Sequence, residues 1–163
     1  MKTHPYDILA LANGAQLIFT PCPGTKDASL ESSLTTLKEV GTNMLLTLMF
    51  DEEMAQNNAQ QLPQACKDQD IKWIQLPISD DKAPNSEFET PWQQHQTAIL
   101  EVLNNKGTIA VHCKGGSGRT GLVIGLVLLA YGWPADKIIA EVQKLRPKAL
   151  KYPLQLDYFN RYL

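Results

Sequence analysis

Apolar residues follow the chain in short continuous runs that alternate with sets recurring every three or four positions. The continuous runs have strand length and predict buried strands at residues 16–20, 44–50, 71–76 and 108–112. The intervening segments predict helices at residues 30–40, 92–104, 119–131, 134–145 and 154–163, with one or two short helices within 51–67. Alternation of this kind is typical of an α/β fold, with a central, mainly parallel sheet flanked by helices in three layers.

Prolines mark two of the connections between these elements. Residues 21–26 contain two prolines and a glycine, which excludes a regular element there. Residues 77–91 contain three prolines, several acidic residues and no apolar periodicity, which predicts a long surface loop. Long loops in compact domains are often functional, so this segment is a candidate part of a site.

Length and charge restrict the classes of protein that this chain can belong to. At 163 residues it has the size of one compact unit, and we expect a single domain over residues 1–163. The sequence is 44% hydrophobic and 20% charged, which is ordinary for a globular protein. A formal net charge of -2 provides no basic field for nucleic acid or an anionic membrane, so we expect neither as a partner. Any recognition of an anion must therefore be local.

The cysteines and the apolar runs indicate the compartment. Three cysteines, Cys22, Cys66 and Cys113, are an odd number in a chain of a size that does not require disulfides, which favours a reducing environment. The first residues lack the apolar run and cleavage site of a secretory signal. The longest apolar run, residues 122–131, is about half of the ~20 residues that span a bilayer. We therefore expect a cytoplasmic protein in which Cys22 and Cys66 are inert, or in which one of them forms a protective disulfide with Cys113.

The segment 112–121, with the sequence HCKGGSGRTG, connects a predicted strand to a predicted helix. Its glycines let successive backbone N–H groups turn toward one point, which forms a nest for an anion. The start of the following helix adds a positive dipole end, and Arg119 can bind two phosphate oxygens with its planar guanidinium. The residues predicted to surround a phosphate are Lys114, Gly115, Gly116, Ser117, Gly118 and Arg119.

Cys113 is the candidate nucleophile within this nest. Thiols at helix amino termini and beside cations have pKa values lowered to roughly 3.5–7.5, so we expect Cys113 to be ionised at neutral pH. The thiolate can attack phosphorus in line and leave a phosphocysteine that water then hydrolyses. Thr120 can donate a hydrogen bond to the departing sulfur, or it can simply cap the helix. His112 either orients the loop or only completes the strand end, and both roles remain open.

The attack also needs an acid to protonate the leaving oxygen. Asp80 and Asp81 lie in the 77–91 loop, which follows a strand expected to run parallel to the strand before Cys113. The loops that follow parallel strands share one edge of the sheet, so either carboxyl could act first as the acid and later as the base. The polar, proline-containing loop also suits a lid over the substrate.

Cysteine, any five residues, arginine and then threonine resembles the signature of the protein tyrosine and dual-specificity phosphatases. Residues 77–80 with Pro84, and the early segment 21–24, are similar to the cyclin-dependent-kinase-associated phosphatase group, a resemblance that implies Asp80 rather than Asp81 as the acid. Residues 146–150 with Gln155 resemble the late loop in which a glutamine positions the hydrolytic water. This similarity implies that role for Gln155.

The resemblance implies a protein-tyrosine-phosphatase-like fold and a shallow, dual-specificity-like site. The implied reaction is hydrolysis of phosphate monoesters, phosphotyrosine and also phosphoserine or phosphothreonine of proteins, through a phosphocysteine intermediate. We expect no metal or other cofactor, because the sequence has no cluster of His, Cys and Asp at the spacing of metal ligands. Tensin-type lipid phosphatases also carry lysine beside the cysteine, but they have further basic residues where this chain has Gly116 and Ser117.

Parts of this pattern also occur in four other classes of protein. One is a non-catalytic module that binds phosphoproteins, and another is a phosphatase acting on a small phosphorylated metabolite or a lipid. A rhodanese-type sulfurtransferase has no need of Arg119 and Thr120, and the nucleotide-binding loop is excluded because no lysine precedes Thr120. The sequence leaves the oligomeric state open.

Overall fold

A computed structural model describes residues 3–26 and 28–163. Within this part of the chain, five strands form one sheet in the order β1-β2-β5-β3-β4. The strands are β1 (Asp7–Ala10), β2 (Gln16–Thr20), β3 (Thr42–Thr47), β4 (Lys72–Gln75) and β5 (Thr108–His112). All neighbouring pairs are parallel except β1 with β2, which is antiparallel. The sheet is therefore mainly parallel, which confirms the fold class predicted from the sequence.

Helices cover both faces of this sheet. In the described residues they are α1 (Leu30–Glu39), α2 (Asp51–Gln56), α3 (Leu62–Asp68), α4 (Ser86–Asn104), α5 (Gly118–Tyr131), α6 (Ala135–Leu145) and α7 (Pro153–Asn160). Side chains alternate between the faces of a strand, so neighbours on β2 enter different cores. Ile18 packs in the core under α1, α2 and α3, whereas Phe19 packs in the core under α4 to α7. The result is the expected arrangement of three layers.

The parallel strands bring the connections of interest to one edge of the sheet. Strand β5 lies between β2 and β3, and every residue of it is buried. The segment after β5 leads through Cys113 into α5, and the segments after β2, β3 and β4 leave from the same carboxyl edge. In open α/β sheets this edge is where ligands bind.

Strand β1 is absent from the sequence prediction. Its four residues alternate weakly, and only Leu9 is buried, because the strand lies at the edge of the sheet. A short edge strand has too few apolar positions to stand out from a loop. The prediction for β3 was shifted rather than missed, because β3 is Thr42–Thr47 and not residues 44–50.

Helix α4 begins at Ser86, six positions before the predicted start at residue 92, so the 77–91 loop prediction is too long. Asn85 caps this helix, because its side-chain oxygen accepts a hydrogen bond from Glu87 N at 3.0 Å. Phe88 and Trp92 are both buried and their rings stack at 6.0 Å. Pro91 lies inside this helix, one position before the buried Trp92, although proline has no N–H group to donate.

No helix in residues 3–26 or 28–163 combines the length and the apolar character that crossing a membrane requires.

Candidate active site

The segment between β5 and α5 forms a tight loop whose conformation depends on Gly116. This glycine has φ +80°, a left-handed conformation that residues with a side chain rarely adopt. A methyl group at its Cβ position would lie 2.6 Å from the carbonyl carbon and oxygen of Thr20. The loop is thus pressed against the end of β2, and only glycine fits there.

Three carbonyl groups of this loop accept hydrogen bonds from groups outside it. The pairs are His112 Nδ1 to Cys113 O at 3.0 Å, Cys22 N to Lys114 O at 3.0 Å and Arg146 Nε to Gly116 O at 2.8 Å. In a trans peptide the C=O and the following N–H point in opposite directions. The N–H group after each of these carbonyls therefore points away from the three outside donors and toward the cavity, as an anion nest requires.

The Cys113 sulfur lies in the floor of this nest, and the residue is 4% exposed. Its Sγ accepts hydrogen bonds from Gly116 N at 3.3 Å and from Thr120 Oγ1 at 3.2 Å. The Thr120 hydroxyl is directed at the sulfur and does not cap α5, whose first turn has no side-chain cap. Two hydrogen-bond donors therefore converge on this one sulfur.

Arg119 is buried beside the nest, where Glu53 fixes its guanidinium. Nη1 and Nη2 donate to the two oxygens of Glu53 at 2.7 and 2.8 Å, and Nη1 also donates to Ile78 O at 3.0 Å. Burial by itself lowers the pKa of Arg119, but the hydrogen-bonded Glu53 and the charge of Cys113 raise it, and the net direction is upward. The guanidinium is therefore a fixed cation at the site.

Sequence reasoning missed Glu53. It lies in the first turn of α2, next to Asp51 and Glu52, shortly after β3 reaches the same sheet edge as Cys113. This placement could have pointed to the segment, because the argument that loops after parallel strands share one sheet edge also selects the loop of Asp80. Which of three consecutive acids reaches Arg119 depends on the helix orientation, which the spacing does not reveal.

Asp80 and Asp81 both line the cavity that contains Cys113 and Arg119. The Asp80 carboxylate is 66% exposed and its Oδ1 lies 3.7 Å from Arg119 Nε. Asp81 adopts a left-handed conformation, and its backbone N donates to Asp80 Oδ1 at 3.2 Å. Asp80 is thus the residue whose carboxylate faces the guanidinium.

Gln155 also lines this cavity, near the start of α7. A methyl group on Gly118 would lie 3.0 Å from Gln155 Nε2, so the amide is close to the start of α5. Gln155 Oε1 is buried and has no hydrogen-bond partner among the described residues. An unpaired buried acceptor of this kind is suited to binding a water molecule or a substrate hydroxyl.

The cavity has a volume of about 750 Å³ and a mixed rim. Tyr152 and Leu154 are large hydrophobic residues that are exposed at this rim. Three lysines also line the cavity, Lys26, Lys82 and Lys114. The cavity therefore offers a phosphate nest at the floor and both apolar and cationic contacts at the mouth.

His112 supports the loop from inside the sheet. Its Nδ1 must carry the proton, because the carbonyl of Cys113 can only accept, so Nε2 accepts from Thr47 Oγ1 at 2.7 Å. The Thr47 oxygen in turn accepts from Trp73 Nε1 at 2.7 Å. Burial lowers the pKa of His112 to about 4, so the ring is neutral at pH 7.

All three cysteines are free thiols. Burial raises the pKa of Cys66 to about 12, and burial together with the charges of Glu53 and Cys113 raises the pKa of Cys22 to about 12. These two thiols are therefore protonated at neutral pH. In residues 3–26 and 28–163, no three His, Cys, Asp or Glu side chains come together as a set of metal ligands.

Comparisons with known proteins point to one family. Residues 24–151 match the family model described as "Swiss Army Knife protein, DSP-PTPase phosphatase domain". "Tyrosine-protein phosphatase CDC14" of Candida albicans is 37% identical over 86 residues, which are 52% of this chain and 15% of that protein. "Dual specificity protein phosphatase CDC14B" of Mus musculus is 41% identical over 68 residues, 40% of this chain and 14% of that protein. The similarity thus spans only a small part of these relatives.

Solved structures resemble the fold over nearly the whole chain. Kinase associated phosphatase (KAP), crystallised with its catalytic cysteine replaced by serine, gives a TM-score of 0.86 at 20% identity, covering 99% of this chain and 95% of that one. Human DUSP28 gives a TM-score of 0.68 at 17% identity, covering 99% and 96%. At these identities the likeness establishes the architecture of the sheet and its helices.

Proposed function

The chain belongs to the DSP-PTPase phosphatase family, and on that premise we propose that it hydrolyses phosphate monoesters of proteins through a phosphocysteine intermediate. One observation carries the proposal. The Cys113 sulfur accepts two hydrogen bonds at the floor of an amide nest, and the fixed guanidinium of Arg119 faces Asp80 in the same cavity. This is a nucleophile, an anion receptor and a proton donor in one place.

The first step forms the phosphocysteine. The phosphate oxygens bind to the N–H groups of residues 114–118 and to Arg119, which places phosphorus above Cys113 Sγ. The sulfur attacks in line, the S–P bond forms and the bond from phosphorus to the ester oxygen breaks. Asp80 gives its proton to that oxygen, so the product leaves as a neutral alcohol or phenol.

The second step returns the free enzyme. Gln155 orients a water molecule, the Asp80 carboxylate removes its proton, and the water oxygen attacks phosphorus as the S–P bond breaks. The sulfur leaves as a thiolate that Thr120 stabilises through its hydroxyl at 3.2 Å, and inorganic phosphate departs. Glu53 and His112 take no part in bond changes, and they hold Arg119 and the loop in place.

The rim of the cavity supports phosphotyrosine as a substrate. An aryl group leaving the nest would pack against Tyr152 and Leu154, both exposed at the mouth. The cavity volume of about 750 Å³ is also large enough to admit the shorter phosphoserine and phosphothreonine side chains. A panel of phosphopeptides with soluble phosphorylated metabolites and inositol phosphates separates these substrates.

We also propose that residues 1–163 act as one catalytic domain in the cytoplasm. Support for one domain comes from the shared sheet on which both cores are built. The three free thiols support a reducing compartment.

The decisive test is hydrolysis of p-nitrophenyl phosphate in the presence of EDTA. The wild type should turn over the ester, and Cys113→Ser should abolish turnover while it still binds inorganic phosphate. Cys66→Ala serves as the matched control, because Cys66 lies in the core under α1 to α3 and should leave turnover intact. Undiminished turnover by Cys113→Ser would refute the mechanism, and phosphopeptide binding by a wild type without turnover would favour a non-catalytic module.

A further inference from the structure

Arg146 contacts the phosphate-binding loop from outside the cavity. It ends α6, and its Nε donates a 2.8 Å hydrogen bond to Gly116 O. It is not among the residues that line the cavity. Any effect on phosphate must therefore act through the loop.

The Gly116 carbonyl belongs to a loop peptide that has glycine on its amino-terminal side. A peptide flip changes ψ of the residue before it and φ of the residue after it, and at Gly116 no side chain opposes the change in ψ. The peptide between Gly116 and Ser117 could therefore turn over unless a hydrogen bond holds it. In the present orientation the carbonyl meets Arg146 and the Ser117 N–H is directed oppositely, toward the cavity. The reverse orientation would present a carbonyl oxygen to the phosphate, which repels it.

Arg146 is itself held by contacts from three directions. Its Nη1 donates to Asp7 Oδ2 at 2.7 Å and to Leu145 O at 2.9 Å, and its guanidinium carbon lies 5.4 Å from the centre of the Phe19 ring. A cation over an aromatic face is attracted to it, and the paired Asp7 compensates the charge. The guanidinium therefore has one orientation, and in it Nε faces the loop.

We propose that Arg146 is a positioning residue that fixes the peptide between Gly116 and Ser117, so that the Ser117 N–H stays available to the phosphate. Asp7 on β1 secures Arg146 in this role. The inference rests on the proposed function, because the nest is the site where substrate phosphate binds. It also gives the edge strand β1 a part in catalysis, although β1 lies outside the cavity.

The effect should be visible both in phosphate affinity and in turnover. Loss of one oriented backbone donor to a developing anion lowers rates by about 10²–10³ when the donor is removed outright. We expect the peptide to turn over in only part of the molecules when Arg146 is removed, so Arg146→Met should lower kcat/KM for p-nitrophenyl phosphate about tenfold. Binding of inorganic phosphate to the Cys113→Ser protein should weaken by a similar factor when Arg146→Met is added.

The variants are chosen to separate the charge from the hydrogen bond. Arg146→Lys keeps the cation near Asp7 but lacks the Nε–H, so it should resemble Arg146→Met in phosphate affinity. Asp7→Asn keeps the Nε contact and should show a smaller loss in the same direction. Lys144→Met removes a cation from the same end of α6, where the exposed Lys144 side chain pairs with Glu141, and should leave both readouts unchanged.

The outcomes distinguish this inference from the proposed function. Suppose that the wild type turns over substrate and that Arg146→Met lowers the melting temperature but leaves phosphate affinity and kcat/KM unchanged. Arg146 would then have only a structural role, and the inference would be overturned. A wild type without turnover, whose Cys113→Ser form binds no phosphate, refutes the proposed function instead. If Arg146→Met does not fold, Arg146→Lys and Asp7→Asn decide: weaker phosphate binding in both supports the inference, and unchanged binding in both overturns it.

Discussion

The Glu53 carboxylate accepts two parallel hydrogen bonds, of 2.7 and 2.8 Å, from the Arg119 guanidinium, although the two residues are 66 positions apart in the sequence. Both side chains lie at the carboxyl edge of the sheet, one at the start of α2 and the other at the start of α5. The pair fixes the plane in which Arg119 can meet two phosphate oxygens. An arginine buried beside the loop is thus already oriented by a protein carboxylate before any anion binds.

Glu53→Gln should weaken this orientation without removing the side chain. The amide can accept only one of the two hydrogen bonds and carries no charge, so Arg119 gains freedom to leave the plane. We expect kcat/KM for p-nitrophenyl phosphate to fall roughly 10- to 150-fold, as for the loss of a charge-assisted bond worth roughly 1.5–3 kcal/mol. Glu52→Gln, an exposed neighbour on the same turn, is the control and should behave as the wild type. Equal rates for both variants would mean that Arg119 needs no carboxylate partner.

Asp80→Asn should affect substrates according to their leaving groups. An aryl phosphate with a strongly acidic phenol needs little protonation, whereas an alkyl phosphate or phosphotyrosine depends on the acid. We therefore expect a loss of about 10²–10⁴ for phosphotyrosine peptides and a smaller loss for activated aryl phosphates. The dependence of log kcat on the leaving-group pKa measures this difference.

Asp81→Asn is the matched control for Asp80. The two carboxyls are neighbours at the same cavity, but only Asp80 faces Arg119, with Oδ1 3.7 Å from Nε. The Asp81 variant should keep the leaving-group dependence of the wild type. Identical losses in the two variants would contradict the assignment of Asp80 as the acid.

The local parts of this site follow from the sequence, and the long-range parts do not. Cys113, Arg119 and Thr120 lie in the one segment that leads from β5 through the loop into α5, so their spacing in the sequence is enough to bring them together. The prediction of Asp80 needed one more step, namely that the loops after parallel strands lie at one edge of the sheet. By contrast, Arg146 reaches Gly116 from a helix end 30 residues away, and no periodicity encodes which side chain fills that position.

The same division applies to the fold. The buried strands β2 and β5 have the predicted bounds, because strands covered on both faces show continuous apolar runs. Edge strand β1 and the first turns of α4 were not predicted, since β1 buries only Leu9 and α4 starts among prolines. In both places a tertiary contact, pairing with β2 or the packing of Phe88 on Trp92, outweighs the local signal.

Buried histidines predict that the protein loses stability in mild acid. Burial lowers the pKa of both His4 and His112 from 6.5 to about 4. Between these values the unfolded chain binds more protons than the folded one, so the stabilisation is complete above pH 6.5 and declines as the pH falls toward 4. Protonation of His112 alone accounts for up to about 3 kcal/mol of this loss in the free energy of unfolding, at about 1.4 kcal/mol per pKa unit.

The measurement is the free energy of unfolding by urea from pH 7.5 to pH 5, above the range where most carboxyls titrate. We expect it to decrease steadily below pH 6.5 in the wild type and to decrease less steeply in His4→Gln. A free energy that is flat across this range would show that neither ring is buried as a neutral base.

Gly116→Ala tests the geometry on which the whole nest depends. Its methyl group would lie 2.6 Å from the Thr20 backbone, and φ +80° disfavours any side chain, so the loop must move away from β2. We expect inorganic phosphate binding to be lost and the free energy of unfolding to fall by about 1–3 kcal/mol. Gly115→Ala is the control for stability, because nothing lies within 4 Å of the methyl position at Gly115. Its free energy of unfolding should stay within about 0.5 kcal/mol of the wild type. Comparable destabilisation by both alanines would show that the loop resists any side chain, and that contact with Thr20 does not set its shape.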